Sequence, residues 1–212
     1  MTVFIFLNSD LLSIPCYREH CGSLRQKGDV VICANGGYEI ARLAGVRPDL
    51  VIGDLDSLKE SSVDQGIEVR RYPSRKDYSD FELALGEAER RGPERIYVYG
   101  ALGGRIDHEL TNILLMAHSS LPLVCIEKGM EIHHVVECLR LHGKRGSLCS
   151  LLALKGPCRV TDMKGFRYLL HDEELRPSSR GLSNVITADE ASFSVAGGCL
   201  IAVVISSHQR RP

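Results

Sequence analysis

The sequence predicts an α/β protein with two domains, a larger N-terminal domain with a helix-covered parallel sheet and a smaller all-β C-terminal domain. Over the first ~125 residues, short apolar runs alternate with helix-like segments, the pattern of strands and covering helices. The runs are apolar at successive positions, as expected for strands that are buried on both faces. After residue ~128 the helical periodicity disappears and short strand-like segments dominate. A chain of 212 residues accommodates two such domains.

Six apolar runs in the N-terminal part are predicted to be strands. Each is short enough to cross a sheet once, and helix-like or loop-like segments separate them. The predicted strands cover residues 3–7, 30–34, 50–52, 67–71, 95–99 and 121–126.

Three helices are predicted between these strands. The first covers residues 38–44 and ends at Gly45. The second begins at Ser79, which forms a capping box with Glu82, and Gly92-Pro93 ends it. The third carries its apolar side chains on one stripe, which consists of Ile106, Leu110, Ile113, Leu114 and Ala117.

The C-terminal part is predicted to form a small all-β domain. Residues 192–196 and 199–205 flank Gly197-Gly198, which is a two-residue hairpin signal. Residues 147–154 and 167–170 are further candidate strands, and residues 176–181 resemble a loop. We place the boundary near residues 127–132, which gives domains at 1–127 and 128–212.

Composition and charge exclude several classes of function. The formal net charge of −1 offers no electrostatic attraction to nucleic acid or to an anionic membrane. No stretch approaches the ~20 apolar residues of a membrane span, and the N-terminal apolar run is too short for a signal peptide. The eight cysteines include no C-x-x-C pair, so a zinc site of the usual spacing is not expected. We therefore expect a cytoplasmic protein without nucleic-acid or membrane partners.

Three segments rich in aspartate and glycine carry the candidate chemistry. Each is predicted to follow a strand or to begin a helix, at the edge where ligands bind to an open parallel sheet. They are Gly53-Asp54-Leu55-Asp56-Ser57, Lys76-Asp77-Tyr78-Ser79-Asp80 and Gly100-Ala101-Leu102-Gly103-Gly104-Arg105-Ile106-Asp107-His108.

Carboxylates gathered at one edge repel one another unless a cation lies between them. Mg²⁺ prefers hard oxygen ligands and usually binds one or two carboxylates together with substrate phosphates. The glycines of these segments allow backbone to approach a phosphate closely. Taken singly, each segment has a simpler interpretation as a turn or a helix start, and Arg105 could bind phosphate or form a surface ion pair. Their combination predicts a site for Mg²⁺ and phosphate.

The order and spacing of these segments resemble the thiamine pyrophosphokinase family. The resemblance covers residues ~33–115 and extends to a segment near the C-terminus, so that it spans most of the chain. It rests on Ala34-Asn35-Gly36-Gly37, on Pro48-Asp49 leading to Gly53-Asp54-Leu55-Asp56-Ser57, on Lys76-Asp77-Tyr78-Ser79-Asp80-Phe81-Glu82, on Gly100 to His108 with Asn112, and on Gly181-Leu182-Ser183-Asn184.

The resemblance implies a fold and an activity. It implies a Rossmann-like three-layer α/β/α domain at residues 1–127 that binds ATP and Mg²⁺. It also implies a β-sandwich domain at residues 128–212 that binds thiamine and forms a homodimer. The implied enzyme is a thiamine diphosphokinase, which transfers the pyrophosphoryl group of ATP to the hydroxyl of thiamine and releases AMP.

The resemblance also implies roles for individual residues. The expected metal ligands are Asp54, Asp56 and Asp80. The expected catalytic residues are Asp77, Arg105 and Asp107, of which either aspartate could activate the hydroxyl. The residues expected to contact the nucleotide or thiamine are Asn35, Gly36, Gly37, Asp54, Ser57, Gly103, Gly104, Tyr168, Ser183 and Asn184.

Two of these residues depart from the family pattern. Asn35 stands where the family usually has aspartate, and Tyr168 stands where it tends to have tryptophan. Tyrosine retains an aromatic face, so stacking on a thiamine ring is still expected.

Three other functions are compatible with parts of the sequence. A phosphatase of the haloacid dehalogenase type also places a D-x-D motif after a strand, as in Asp54-Leu55-Asp56. A diphosphotransferase of the same fold could act on another alcohol, such as a pterin, given Asn35 and Tyr168. A nucleotide-sensing module without turnover is the non-enzymatic alternative, and the retained aspartates argue against it.

Overall fold

The structure is a computed structural model that describes residues 1–10, 13–55 and 63–207. The chain divides into two compact units. The first comprises Met1–Leu115 and Ser119–Lys128, and the second comprises Met116–His118 and Gly129–Pro212. Throughout the described part of the chain, every helix is too short or too polar to traverse a lipid bilayer.

The first unit contains a parallel sheet of six strands, as the sequence predicts. In space the strands follow the order β6-β5-β1-β2-β3-β4, and every neighbouring pair is parallel. The predicted strand positions are confirmed, with ends that shift by two residues at most. The strands are β1 (Thr2–Phe6), β2 (Val30–Ala34), β3 (Leu50–Gly53), β4 (Glu68–Arg71), β5 (Arg95–Tyr99) and β6 (Leu123–Glu127).

Four helices connect these strands in the described part of the chain. They are α1 (Ile14–Leu24), α2 (Gly37–Leu43), α3 (Asp80–Arg90) and α4 (Ile106–His118). The capping box at the start of α3 is confirmed, because Ser79 Oγ accepts a hydrogen bond of 3.1 Å from the amide of Glu82. The sequence analysis did not predict α1, which buries only Tyr17 and Cys21 and so shows a weak apolar stripe.

Helices cover both faces of the parallel sheet. Successive strand residues point to opposite faces, so Phe4 and Phe6 of β1 share one face. They pack in a buried cluster with Tyr17 of α1 and Tyr38 of α2. The opposite face carries buried residues such as Ile5, and α3 contacts β1, β2 and β3. This arrangement is the predicted three-layer α/β/α architecture.

The second unit is an all-β sandwich of two antiparallel sheets. One sheet has the order β12-β9-β14-β7, and the other has the order β11-β10-β13-β8. Side chains from both sheets, such as Leu151 and Phe193, form one buried cluster. The strands are β7 (Met130–Val135), β8 (Cys138–His142), β9 (Leu148–Leu152), β10 (Cys158–Lys164), β11 (Glu173–Leu175), β12 (Asn184–Val185), β13 (Glu190–Ala196) and β14 (Leu200–Ile205).

The predicted hairpin at Gly197-Gly198 is wrong, although both flanking strands exist. β13 pairs with β8 and β10, whereas β14 pairs with β7 and β9 in the other sheet. The two glycines therefore carry the chain from one sheet to the other. A Cβ at Gly198 would lie 2.7 Å from Pro157 O, so the crossing needs a residue without a side chain.

The predicted strand at residues 167–170 is also wrong. The amide and carbonyl of Tyr168 bind the side chain of Asn184 instead of a neighbouring strand. A backbone whose polar groups are taken by a side chain cannot join a ladder.

The apolar stripe of α4 is largely exposed in the single chain. Ile106, Leu110 and Leu114 keep 67%, 57% and 49% of their surface exposed, whereas Met116 and Ala117 at the end of the helix are buried. An exposed stripe of large apolar side chains is a common mark of a protein interface.

Candidate active site

A cavity of about 470 Å³ opens in the first unit, at the carboxyl ends of the parallel strands. This is the edge at which the sequence analysis predicts ligand binding. The residues that line it follow β1 or β2, precede α3, or lie between β5 and the first turns of α4. They include Asn8, Ser9, Asp10, Asn35, Gly36, Lys76, Ser79, Asp80, Gly100, Gly104, Arg105, His108, Glu109 and Asn112.

Two of the predicted metal ligands, Asp54 and Asp80, come together around a shared amide. Asn35 Nδ2 donates to Asp54 Oδ1 at 2.9 Å and to Asp80 Oδ2 at 3.3 Å. Lys76 Nζ lies 3.0 Å from Asp80 Oδ1 and 4.0 Å from Asp54 Oδ2. Residues from three segments of the sequence thus form one polar cluster, which we call the Asp54–Asp80 cluster. The other predicted metal ligand, Asp56, and Ser57 lie outside the described residues.

The backbone conformation of Asn35 and the absence of a side chain at Gly53 allow the Asp54–Asp80 cluster to form. Asn35 has a φ of 47°, in the left-handed region that asparagine tolerates better than most residues. Its amide donates to Ile52 O at 2.8 Å, which fixes Asn35 next to the end of β3. A Cβ at Gly53 would lie 3.1 Å from Asn35 Cβ and 3.1 Å from Asp80 Oδ1. A side chain at position 53 would therefore push the cluster apart.

The donor set of the Asp54–Asp80 cluster fits a divalent cation. Asp80 Oδ1 is buried and has no hydrogen-bond partner among the described residues, and the ammonium of Lys76 lies 3.0 Å from it. Two carboxylates beside one ammonium leave a net negative charge, and carboxylate oxygens are the ligands that Mg²⁺ prefers. Across residues 1–10, 13–55 and 63–207, no group of three metal-ligating side chains is present. Asp54 and Asp80 are the described residues that could hold the ion.

The glycine-rich loop at residues 100–104 is held from the side of β1. Ser9 Oγ donates to Leu102 O at 2.5 Å, and the amide of Asp10 donates to Gly103 O at 2.8 Å. Gly100 has a φ of 74°, and a Cβ there would lie 2.6 Å from Leu7 O. The loop therefore needs glycine at this position in order to pass close to the backbone that follows β1.

Helix α4 holds the same loop from the other side. Asn112 Nδ2 donates to Ala101 O at 2.8 Å. Glu109 Oε1 accepts from the amides of Gly103 at 2.6 Å and Gly104 at 3.0 Å. The sequence analysis missed Ser9, Asp10 and Glu109. The available signal for the first two was their position directly after a central strand, because such residues border the crevice of an open sheet.

Arg105 and Asp107 form an ion pair at the rim of the cavity. Arg105 Nη2 lies 2.6 Å from Asp107 Oδ2, and Arg105 Nε donates to Asp107 Oδ1 at 3.1 Å. The hydrogen bond from Arg105 lowers the pKa of Asp107. Arg105 borders the cavity, whereas Asp107 and the exposed Asp77 are not among the described residues that line it.

Gly36 and Gly37 allow α2 to begin close to β1. A Cβ at Gly36 would lie 2.8 Å from Asn8 Cγ, and a Cβ at Gly37 would lie 2.0 Å from Phe6 O. Gly36 borders the cavity, but at Gly37 the close contact is with the β1 backbone. The structure thus gives Gly37 a packing role, in addition to the contact with ligand that the resemblance implies.

The predicted thiamine-contacting residues of the second unit form a separate group. Asn184 is buried, its Oδ1 accepts from the amides of Tyr168 at 3.0 Å and Val185 at 2.8 Å, and its Nδ2 donates to Tyr168 O at 2.6 Å. The amide of Ser183 donates to Ser150 Oγ at 3.0 Å. The side chain of Tyr168 is 66% exposed. Asn184 therefore fixes the backbone of Tyr168 and leaves its aromatic ring accessible.

Comparison with protein families identifies two matching models. The model of the thiamin pyrophosphokinase catalytic domain matches residues 21–125. The model of the thiamin pyrophosphokinase vitamin B1 binding domain matches residues 133–200. Together they cover both units of the structure.

Two similar curated proteins are thiamine pyrophosphokinases. The chain is 27% identical over 172 residues to thiamine pyrophosphokinase of Bacillus subtilis (strain 168), an alignment that covers 76% of this chain and 79% of that protein. It is 25% identical over 194 residues to thiamine pyrophosphokinase 2 of Oryza sativa subsp. japonica, which covers 76% of this chain and 72% of that protein.

Solved structures with the same fold include two bacterial thiamine pyrophosphokinases. The Bacillus subtilis structure aligns with a TM-score of 0.82 at 23% identity and covers 97% of this chain and 99% of its own. The Geobacillus thermodenitrificans structure aligns with a TM-score of 0.81 at 22% identity and covers 99% of both chains. At this level of identity, these two likenesses establish the fold.

Proposed function

This chain is an enzyme of the thiamine pyrophosphokinase family, and we propose that it transfers the pyrophosphoryl group of ATP to the hydroxyl of thiamine. In this reaction the hydroxyl oxygen of thiamine bonds to the β-phosphorus of ATP. The bond from that phosphorus to the oxygen bridging it to the α-phosphorus breaks, and AMP leaves with the electron pair. The hydroxyl proton passes to a carboxylate, and the products are thiamine diphosphate and AMP.

The observation that carries this proposal is the Asp54–Asp80 cluster beside the cavity. Asp54 and Asp80, together with Asp56 from outside the described residues, would hold Mg²⁺. When bound, Mg²⁺ neutralises charge on the polyphosphate. Lys76 and Asn35 keep the two described carboxylates close together, so that a cation meets ligands that are already in position.

We assign the transfer chemistry to residues at the rim of the same cavity. Arg105 offsets the charge that grows on the bridging oxygen as AMP leaves, since its planar fork suits phosphate oxygens. Asp107 holds the guanidinium of Arg105 through two hydrogen bonds, so we assign it to orienting Arg105. We assign the orientation or deprotonation of the thiamine hydroxyl to Asp77, which is exposed and lies between Lys76 and Tyr78, two residues that line the cavity.

The remaining predicted residues are assigned to binding. For the nucleotide we assign Asn35, Gly36 and Gly37, which follow β2, and Gly103 and Gly104 of the glycine-rich loop. Ser57, which is outside the described residues, is assigned to the same role. For thiamine, the exposed ring of Tyr168 offers a surface on which a cationic azolium can stack. Asn184 holds the backbone of Tyr168, and the neighbouring Ser183 is itself held by the hydrogen bond from its amide to Ser150 Oγ.

We propose that the enzyme is a cytoplasmic homodimer. The resemblance implies dimerisation through the domain at residues 128–212. The exposed stripe of Ile106, Leu110 and Leu114 offers a further surface in the other domain, because a partner would stabilise large apolar side chains on one helix face. All eight cysteines lie in the described residues and none forms a disulfide there, which suits a reducing compartment.

A product assay tests the proposed reaction. The protein is incubated with ATP, Mg²⁺ and thiamine, and the nucleotides and thiamine esters are separated by chromatography. We expect AMP and thiamine diphosphate in equal amounts, with AMP formed only when thiamine is present. Free phosphate in the absence of thiamine would instead support a D-x-D phosphatase. AMP formed with a hydroxymethyl pterin but not with thiamine would support a different acceptor, and no product with either alcohol would support a nucleotide sensor.

A further inference from the structure

Glu109 makes contacts that none of the proposed roles explains. It lies in the first turns of α4, and one oxygen of its carboxylate, Oε1, receives the amides of both Gly103 and Gly104. Two successive amides that point at one oxygen form a small anion-binding nest. In this chain the nest is filled by the protein's own carboxylate.

The other polar groups of the glycine-rich loop are also held by neighbouring residues. The carbonyls of Ala101, Leu102 and Gly103 accept hydrogen bonds from Asn112, Ser9 and the amide of Asp10 respectively. Glu109 therefore binds amides of the loop, just as these three residues bind its carbonyls. Gly103 has a φ of 87°, a conformation that only glycine adopts readily. The hydrogen bonds that the amides of Gly103 and Gly104 donate to Glu109 stabilise this conformation.

We propose that Glu109 is a positioning residue that holds the glycine-rich loop in the shape in which it borders the bound nucleotide. The inference rests on the proposed function, since it takes the cavity to be the ATP site. Glu109 borders this cavity, but its bonded oxygen is directed at the loop amides. Its place near the start of α4, where the helix dipole favours negative charge, stabilises the carboxylate there. The proposal requires that ATP binds without displacing Glu109 from these amides.

Two substitutions separate the geometry of Glu109 from its charge. Glu109→Gln keeps an acceptor oxygen for both amides and removes the charge, whereas Glu109→Ala removes both the acceptor and the charge. We expect the KM for ATP to rise by about tenfold in Glu109→Ala, because the loop loses the acceptor of two of its amides and with it the shape that borders the nucleotide. In Glu109→Gln it should stay within about twofold of the wild-type value. The kcat at saturating ATP should change less than the KM in both variants.

The dissociation constant of Mg·ATP, measured by calorimetry without thiamine, provides a readout that does not depend on turnover. The matched control is Glu19→Ala, which removes a glutamate from an exposed helical position away from the cavity. We expect the dissociation constant of Glu109→Ala for Mg·ATP to rise in parallel with its KM. The dissociation constants of Glu109→Gln and Glu19→Ala should match that of the wild type.

Three results would overturn the proposal. Tighter ATP binding by Glu109→Ala would mean that the carboxylate competes with phosphate for the loop amides. Unchanged binding by Glu109→Ala would mean that the contact does not shape the site. Equal losses in the Ala and Gln variants would mean that charge, and not the hydrogen-bonded shape, matters. If the wild type formed no AMP with thiamine, the proposed reaction would fail, and the ATP-binding comparison would still test Glu109.

Discussion

Replacing Asp80 with asparagine is expected to reduce the formation of thiamine diphosphate by roughly 100- to 1000-fold, with the fold intact. Asparagine preserves the size of the side chain, and its amide oxygen can still accept a hydrogen bond from Asn35. The variant lacks the negative charge of the buried Oδ1, which has no hydrogen-bond partner among the described residues. Initial rates at saturating ATP, Mg²⁺ and thiamine measure the effect, and circular dichroism reports the fold.

Asp64→Asn is the matched control for this substitution. Asp64 is an exposed aspartate of the same unit and does not line the cavity. Its rate should stay within about twofold of wild type, as for most surface substitutions. Near-normal turnover in Asp80→Asn would show that the Asp54–Asp80 cluster does not hold the metal.

Replacing Gly37 with alanine is expected to lower the free energy of unfolding by more than about 3 kcal/mol, enough to prevent accumulation of folded protein in a marginally stable enzyme. A Cβ at this position would lie 2.0 Å from Phe6 O, which is a backbone atom of β1 and cannot rotate away as the end of a side chain could. Neither element can move without disturbing the core around Phe6 and Tyr38. Urea unfolding followed by circular dichroism measures the change.

Gly86→Ala is the matched control, since the same substitution at this site is expected to stabilise the protein. Gly86 lies within α3, and a Cβ there would meet no atom within 4 Å. Alanine should therefore stabilise the protein by about 0.5–1 kcal/mol, through a smaller loss of conformational entropy on folding. A Gly37→Ala variant as stable as wild type would contradict the close approach of α2 to β1.

Much of the α/β unit could be predicted because its signals are local. Strands buried on both faces are apolar along their whole length, and the capping box of Ser79 and Glu82 marks the start of α3. The meeting of Asp54 and Asp80 also follows from topology, since the carboxyl ends of parallel strands share one edge. Helix α1 was missed because its buried face is narrow.

The parts that could not be predicted depend on contacts that the local pattern does not encode. Gly197-Gly198 has the composition of a tight hairpin, but only the pairing of β13 and β14 with other strands shows that the chain changes sheets there. In the sequence Glu109 is an ordinary acidic residue near a helix start. Only the conformation of the loop shows that two amides donate hydrogen bonds to it. Likewise the sequence does not show that the side chain of Asn184 binds the backbone of Tyr168.

The stripe on α4 illustrates a related limit. Periodicity shows that Ile106, Leu110 and Leu114 share one face of the helix, but it does not tell what covers that face. In the single chain these side chains are exposed, so the same pattern that normally indicates a core here supports an interface.

The most direct test of the site is the effect of Mg²⁺ on ATP affinity in the wild type and in Asp80→Asn. Calorimetric titrations with ATP are performed with Mg²⁺ or with EDTA, without thiamine. We predict that Mg²⁺ tightens ATP binding by the wild type at least tenfold, and that Asp80→Asn binds ATP with the same weak affinity in both conditions. Equal tightening by Mg²⁺ in the two proteins would contradict a metal site at the Asp54–Asp80 cluster.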